Sequence, residues 1–293
     1  MAGAPPLGVR MRFCLLLLCL ACGAPAAERA LFVAGLGGEP DYEQRFQSLA
    51  REGAKLAGGE ALTGPQATRQ ALRDLIARAA SSLGEDDTLL LVLIGHGTFD
   101  GLAYKFNLPG PDVTAEELRS WLDAVKARQI VVLATSASGA ALKELSHPRR
   151  AVFAATRSGM EKNAVTFPRY FVEALRDPAA DTDKNEAVSA AEAFRYATQK
   201  TAAFFETQKR IATEHAAMED PNGIGRAPLV RFGAAQAALN DPAKRALLAY
   251  REKLEAEIEK LKREKAAMPL DEYKKRLQAL LVALAGIQEE IER

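Results

Sequence analysis

The stretch LLLVLIGHGTFDG, Leu89 to Gly101, decides how the chain folds: six aliphatic residues run without a polar break into Gly95, His96 and Gly97. A strand with one wet face alternates apolar and polar side chains. An unbroken run therefore reads as a strand covered on both faces, as central strands of parallel sheets are. The pattern recurs in QIVVLA, Gln129 to Ala134, which runs into Thr135-Ser136-Ala137-Ser138-Gly139.

Working outward, apolar runs at Ala30 to Ala34 and Ala151 to Ala155 add two strands. Amphipathic stretches at Tyr42 to Leu56, Gln66 to Leu83, Ala115 to Val125 and Phe167 to Leu175 add helices between and after them. Thr114 with Glu117 forms a capping box that sets the start of the third helix. Strands alternating with helices require right-handed crossovers, and so a three-layer α/β domain on a mainly parallel sheet, over residues 28–218. Residues 219–241 read as an irregular linker. From Pro242 the chain is dense in Glu, Lys, Leu and Ala, with Leu247, Tyr250, Leu254, Ile258 and Leu261 at helical spacing. Met268-Pro269 interrupts, and Leu277, Leu280, Leu284, Ile287 and Ile291 resume the stripe. Proline is accepted at a helix start but not inside one, so residues 242–293 form an antiparallel, coiled-coil-like helical hairpin. Its stripe serves either as packing against the main domain or as a surface for self-association or a partner.

All three cysteines, Cys14, Cys19 and Cys22, lie in FCLLLLCLAC, which follows Arg10 and Arg12 and precedes Ala24-Pro25-Ala26. That order of charge, apolar run and small residues is an export signal over residues 1–26, too short for a membrane span of roughly 20 residues. The expected location is periplasmic or secreted; the alternative is a lipoprotein held at Cys22. No later run is long enough to span a bilayer. Cleavage leaves about 266 residues without cysteine, a length whose core can hold by burial alone. With 39 basic against 38 acidic residues the chain lacks the cationic excess that phosphate contacts demand, which excludes an electrostatic nucleic-acid binder.

The chemistry concentrates at the two central strand ends. His96 and Ser136 follow neighbouring strands at the carboxyl edge of a parallel sheet, where open α/β folds place their ligand sites. A base beside a hydroxyl is the arrangement acyl transfer requires, and the Gly97 N–H, with a second N–H from the TSASG turn, would face a developing oxyanion. Asp100 is the acid nearest His96 in sequence.

These residues resemble the caspase and legumain superfamily of cysteine peptidases. There one strand ends His-Gly, and a neighbour ends in a small turn bearing the catalytic Cys, followed by Ser-Gly. Thr135-Ser136-Ala137-Ser138-Gly139 is similar to the legumain pattern Ala-Cys-Glu-Ser-Gly, so Ser136 occupies the cysteine slot. The resemblance spans roughly Leu31 to Tyr196, and HGTFDGLAYKFNLPGPDVTAEEL with TSASG looks more closely like a bacterial exported legumain-like branch in which serine is usual. The resemblance implies a Cys-His pair without a third acid. A hydroxyl, unlike a thiol of pKa about 8.5, must lose its proton during attack and needs a better-placed base. Two readings stand: a peptidase homologue without cysteine-peptidase activity, binding a peptide or protein, and a serine-type hydrolase using Ser136 with His96. Neither requires a cofactor.

A second constellation places Asp181, Asp183, Asn185, Ala187, Ser189 and Glu192 at positions 1, 3, 5, 7, 9 and 12 of a calcium-binding loop. Glycine is missing at the sharp turn, where Glu186 would have to turn left-handed. Alternatively, Ser189 and Glu192 cap the helix from Ala190 to Phe205 and bind no metal. Gly35, Gly37 and Gly38 lack the rest of a dinucleotide fingerprint and read as a tight turn. His147 and His215 have no companion ligands at metal spacing.

Overall fold

The computed structural model describes residues 27–293; the export segment, its three cysteines and the Cys22 alternative lie outside the described residues. Among the described residues no helix is long and apolar enough to cross a membrane.

The chain runs through β1 (Glu28–Ala34), α1 (Pro40–Leu56), β2 (Glu60–Leu62), α2 (Arg69–Ser82) and β3 (Thr88–Gly95). β4 (Gly97–Phe99), β5 (Tyr104–Phe106) and β6 (Val113–Thr114) follow, then α3 (Ala115–Leu122), β7 (Arg128–Thr135), α4 (Leu142–Leu145), β8 (Arg150–Ala154) and α5 (Phe167–Ala174). The rest comprises β9 (Ala187–Ser189), α6 (Ala190–Thr207), β10 (Ala217–Glu219), β11 (Pro228–Arg231), α7 (Gly233–Ala238), α8 (Pro242–Glu264) and α9 (Leu270–Glu292).

The central sheet has the order β10-β8-β7-β3-β1-β2, parallel throughout except for the antiparallel edge strand β10. Every residue of β3 is buried, as its unbroken apolar run requires. Alternate side chains separate into two cores. Phe32, Val92, Val132 and Phe153 pack with Phe46 of α1 and Phe171 of α5, while Leu31, Leu91, Leu133 and Val152 pack with Leu72 of α2, Leu118 of α3 and Leu145 of α4. Burying each such side chain contributes about 1.5–3 kcal/mol, and the two cores make the three layers. Thr114 and Glu117 form the expected capping box at α3.

Residues 219–241, expected as irregular, are largely ordered. β11 pairs antiparallel with β9, and Ala235 and Ala238 of α7 join Leu248 and Ile291 in a small core against the hairpin. The paired run is too short to leave a period in the sequence. α8 and α9 form the hairpin, with Pro269 at the N-cap of α9, where its missing N–H costs nothing.

Candidate functional site

β3 and β7 pair in register from Thr88 with Arg128 to Gly95 with Thr135, so His96 and Ser136 are the first residues beyond two adjacent strand tips. The chain then diverges. After His96 it enters the three-stranded antiparallel β4–β5–β6 flap, and after Ser136 it turns through Ala137 at φ 55° into a short 3₁₀ turn, Ser138–Ala141. A left-handed alanine costs roughly 1 kcal/mol or more and persists because its surroundings hold it. Here the Ala137 N–H donates to Glu161 O at 2.8 Å. Ser138 Oγ donates to Thr135 O at 2.8 Å and sits 3.2 Å from Thr156 Oγ1. Gly139 has no room for a side chain: a Cβ there would lie 2.2 Å from the main chain of Arg157 and Ser158.

Ser136 is 2% exposed. Its Oγ donates to Gly97 O at 3.0 Å and accepts the Gly97 N–H at 3.1 Å, so the main chain of one residue takes both functions of the hydroxyl. The His96 ring is engaged elsewhere. Its Nε2 donates to Gly37 O at 3.0 Å, and the ring packs against Tyr42 and, edge-on, against Phe46 at 5.4 Å between centroids. A carbonyl can only accept, so this bond places the proton on Nε2 and leaves Nδ1 as the basic nitrogen. The topology thus brings imidazole and hydroxyl to adjacent tips, and each is hydrogen-bonded to main chain rather than to the other.

The expected oxyanion donors are also in use within the protein. Its N–H is held by Ser136 Oγ, that of Ala137 by Glu161 O, and that of Gly139 by Thr156 Oγ1 at 2.9 Å. The close approach that Gly97 permits is to the protein itself, because a Cβ there would lie 2.5 Å from both Ser136 O and the Tyr104 ring. Asp100 closes the β4–β5 turn, accepting the N–H groups of Leu102 and Ala103 and the Lys105 ammonium at 3.2 Å. Those donors, the two backbone groups foremost, hold its carboxyl down at about 2. Tyr104 was not singled out by any motif. Its hydroxyl lies 2.6 Å from Thr135 Oγ1 under the flap, where burial pushes its pKa up.

In the second constellation Asp181, Asp183 and Glu192 converge, with one carboxylate oxygen of each within 4.8 Å of the others. Glu186 does take the left-handed conformation, at φ 60°. The remaining donors are committed to the loop. Asn185 Oδ1 accepts the Ala187 N–H at 3.0 Å, Ala187 sits in β9 paired with Arg231, and Ser189 Oγ donates to Glu192 Oε2 at 2.8 Å within a complete capping box. Glu192 Oε1 accepts both Thr182 N–H and Thr182 Oγ at 2.9 Å, and Asp181 accepts the N–H groups of Asn185 and Glu186. Calcium takes 6–8 oxygens, and only three carboxylates converge here. The residues present fit a capped loop better than a calcium shell. Calorimetric titration to millimolar calcium is expected to give the heat of a buffer blank; saturable heat lost in Asp183→Asn would reverse that assignment.

His215 Nδ1 bonds Glu161 Oε1 at 2.6 Å, and His147 Nδ1 accepts the Arg149 N–H at 3.1 Å; both are structural contacts. Arg150, fully buried, binds Gln129, Leu145 O and Asp123 beneath the sheet, a role no motif announced.

No protein-family model matches the chain, and no curated protein matches it. Among solved structures it is similar to protein GSU0716 from Geobacter sulfurreducens, over 71% of this chain and 99% of that one, at 13% identity and a TM-score of 0.47. It is also similar to the Drosophila initiator caspase Dronc, over 69% of this chain and 81% of that one, at 12% identity and a TM-score of 0.45.

Proposed function

We propose that this chain is an exported bacterial homologue of legumain- and caspase-like peptidases that has kept the peptidase shape without a working nucleophile and binds a polypeptide. The observation that carries the reading is the state of Ser136. Its hydroxyl is buried, donates to Gly97 O, and has no hydrogen bond to the base that would have to deprotonate it. A nucleophilic serine must be within hydrogen-bond reach of its base and open to substrate. The rim of the same sheet edge supports binding. Leu36, Leu102 and Met160, exposed by 39%, 95% and 73%, stand in loops after β1, β4 and β8, and Ile211, exposed by 90%, stands in the loop leading into the antiparallel edge strand β10, whose Ala217 pairs with Ala154 at the carboxyl end of β8. Exposed apolar side chains are ordinary singly; several in loops on one side of the sheet suit a polypeptide partner.

A serine hydrolase is the second reading, favoured by one detail. The Gly37 carbonyl already orients His96 with its Nδ1 free, and rotation of Ser136 away from Gly97 would release the Gly97 N–H together with the hydroxyl. Two measurements on the purified protein separate the readings. Fluorophosphonate probes are expected to leave Ser136 unlabelled, and peptides cut after Asn, Asp, Arg or Lys by related folds are expected to stay intact. Cleavage that disappears in Ser136→Ala would establish the hydrolase instead.

A further inference from the structure

At the opposite end of the sheet a cavity of about 980 Å³ lies between the amino ends of β1, β3 and β7, the Asp181–Glu192 loop and the α8–α9 hairpin. It is at the upper end of the roughly 300–1,000 Å³ typical of small-molecule sites. One part of its lining is aliphatic, with Leu239, Leu248, Ile258, Leu281 and Leu284. The rest carries nine cationic and six acidic side chains.

The acids are largely occupied. Glu28 and Glu252 both pair with Arg231, Glu259 with Arg226 and Lys262, Glu255 with Arg251, and Glu192 caps α6. Among the described residues Arg128, Lys184, Arg195, Arg245 and Arg263 have no carboxylate partner, so cationic charge is left over on the cavity wall. One guanidinium group also keeps an unused donor. The Arg231 side chain is 9% exposed and its Nε has no hydrogen-bond partner, whereas Arg251 Nε faces Glu255 Oε1 at 3.5 Å. A buried donor without an acceptor costs about 1–3 kcal/mol.

We infer that this cavity binds a small amphipathic anion, an apolar body bearing one carboxylate or phosphate, with the aliphatic wall taking the body and the surplus arginines the charge. The site is separate from the His96 and Ser136 edge and does not depend on the function proposed for it. Burial raises the Glu255 carboxyl to about 7, with Asp183 and Glu252 adding to the rise against Arg251 and Asn185. Asp183 is raised as well, first by burial and next by Glu192. Protonating Glu255 removes negative charge that would repel the ligand, so binding strengthens as pH falls through about 7.

Anilinonaphthalenesulfonate, an aromatic sulfonate whose fluorescence rises in apolar sites, tests this on the full chain. One saturable site is expected, weakened about tenfold or more by Arg245→Glu with Arg263→Glu, and tighter at pH 6 than at pH 8. Ala256→Trp, at an exposed helix position on the cavity wall, should abolish it without changing the circular dichroism. Competition by decanoate and by decyl phosphate tells which oxyanion is preferred. Absence of a saturable site overturns the inference. So does uncharged N-phenylnaphthylamine binding equally well with no effect of the charge reversals, since the cavity would then be only an apolar patch.

Discussion

Arg150→Ala is expected to lower the free energy of unfolding by about 3–5 kcal/mol, the loss typical of truncating a large buried side chain and leaving its buried acceptors unpaired. The guanidinium is fully buried at the start of β8. Its Nε donates to Gln129 Oε1 at 2.7 Å, one terminal nitrogen to Leu145 O at 2.9 Å and the other to Asp123 Oδ1 at 2.8 Å. Gln129 in turn donates to Leu122 O and Val125 O, so one fork closes the end of α3, the end of α4 and the β7–β8 pair. Truncation strands at least two buried acceptors and opens a cavity as large as the side chain, and the surrounding core cannot collapse to fill it. Arg150→Met, which fills the volume, should lose less than Arg150→Ala; a lysine cannot reproduce the planar fork and should fall between wild type and alanine. Urea denaturation followed by circular dichroism measures all three. A loss under about 1 kcal/mol in Arg150→Ala would mean that the network is not holding these elements together.

Arg150 also marks where sequence reading stops. The parallel sheet was legible because β3 and β7 must be apolar on both faces, and that single requirement leaves an uninterrupted run. The position of His96 and Ser136 followed from the same runs, since a residue that ends one is at the sheet edge. What those side chains bond to was not legible. Gly37, Gly97 and Glu161 act through main-chain atoms, which every residue carries and which leave no mark on residue type. The three-residue strands β9 and β10 and the four-residue β11 are too short for any period, so 219–241 looked irregular although it is paired and packed. The Asp181–Glu192 loop shows the converse. Its spacing matches a calcium loop, yet the same oxygens satisfy nearby N–H and O–H groups, and only coordinates distinguish the two uses.

The state of Ser136 follows from the same local chemistry. A cysteine at this position would be a poor partner for Gly97, because a thiol is a weak donor and a weak acceptor. The serine hydroxyl makes both bonds at ordinary lengths. The two bonds tie the turn after β7 to the flap after β3. A turn fastened in this way suits a rigid binding edge.

Glu255→Gln is expected to stabilise the protein by about 2 kcal/mol at pH 8 and to change little at pH 4, near the ordinary carboxyl value. Glu255 lies on α8 facing the Asp181–Glu192 loop, with Arg251 and Glu252 on its own helix, Asp183 and Asn185 across from it, and Gln288 of α9 bound to Arg251. Burial holds its proton on up to about 7, and Arg251, 3.5 Å away, only partly offsets that. The unfolded chain gives up this proton near the ordinary carboxyl value of about 4.3. Between the two values the unfolded state is ionised while the folded state must still bind a proton or bury a charge, so stability falls as pH rises and levels off above about 7. The whole interval corresponds to roughly 3.7 kcal/mol at 1.36 kcal/mol per unit, and because the side chain is 29% exposed, solvent screening reduces this to the smaller figure. Glutamine keeps the shape and can still accept the Asn185 amide, without a charge to bury. Thermal unfolding of both proteins across this pH range reads the difference directly. If Glu255→Gln were destabilising at pH 8, the pairing with Arg251 would outweigh desolvation, and the hairpin would be fastened to the domain by that ion pair.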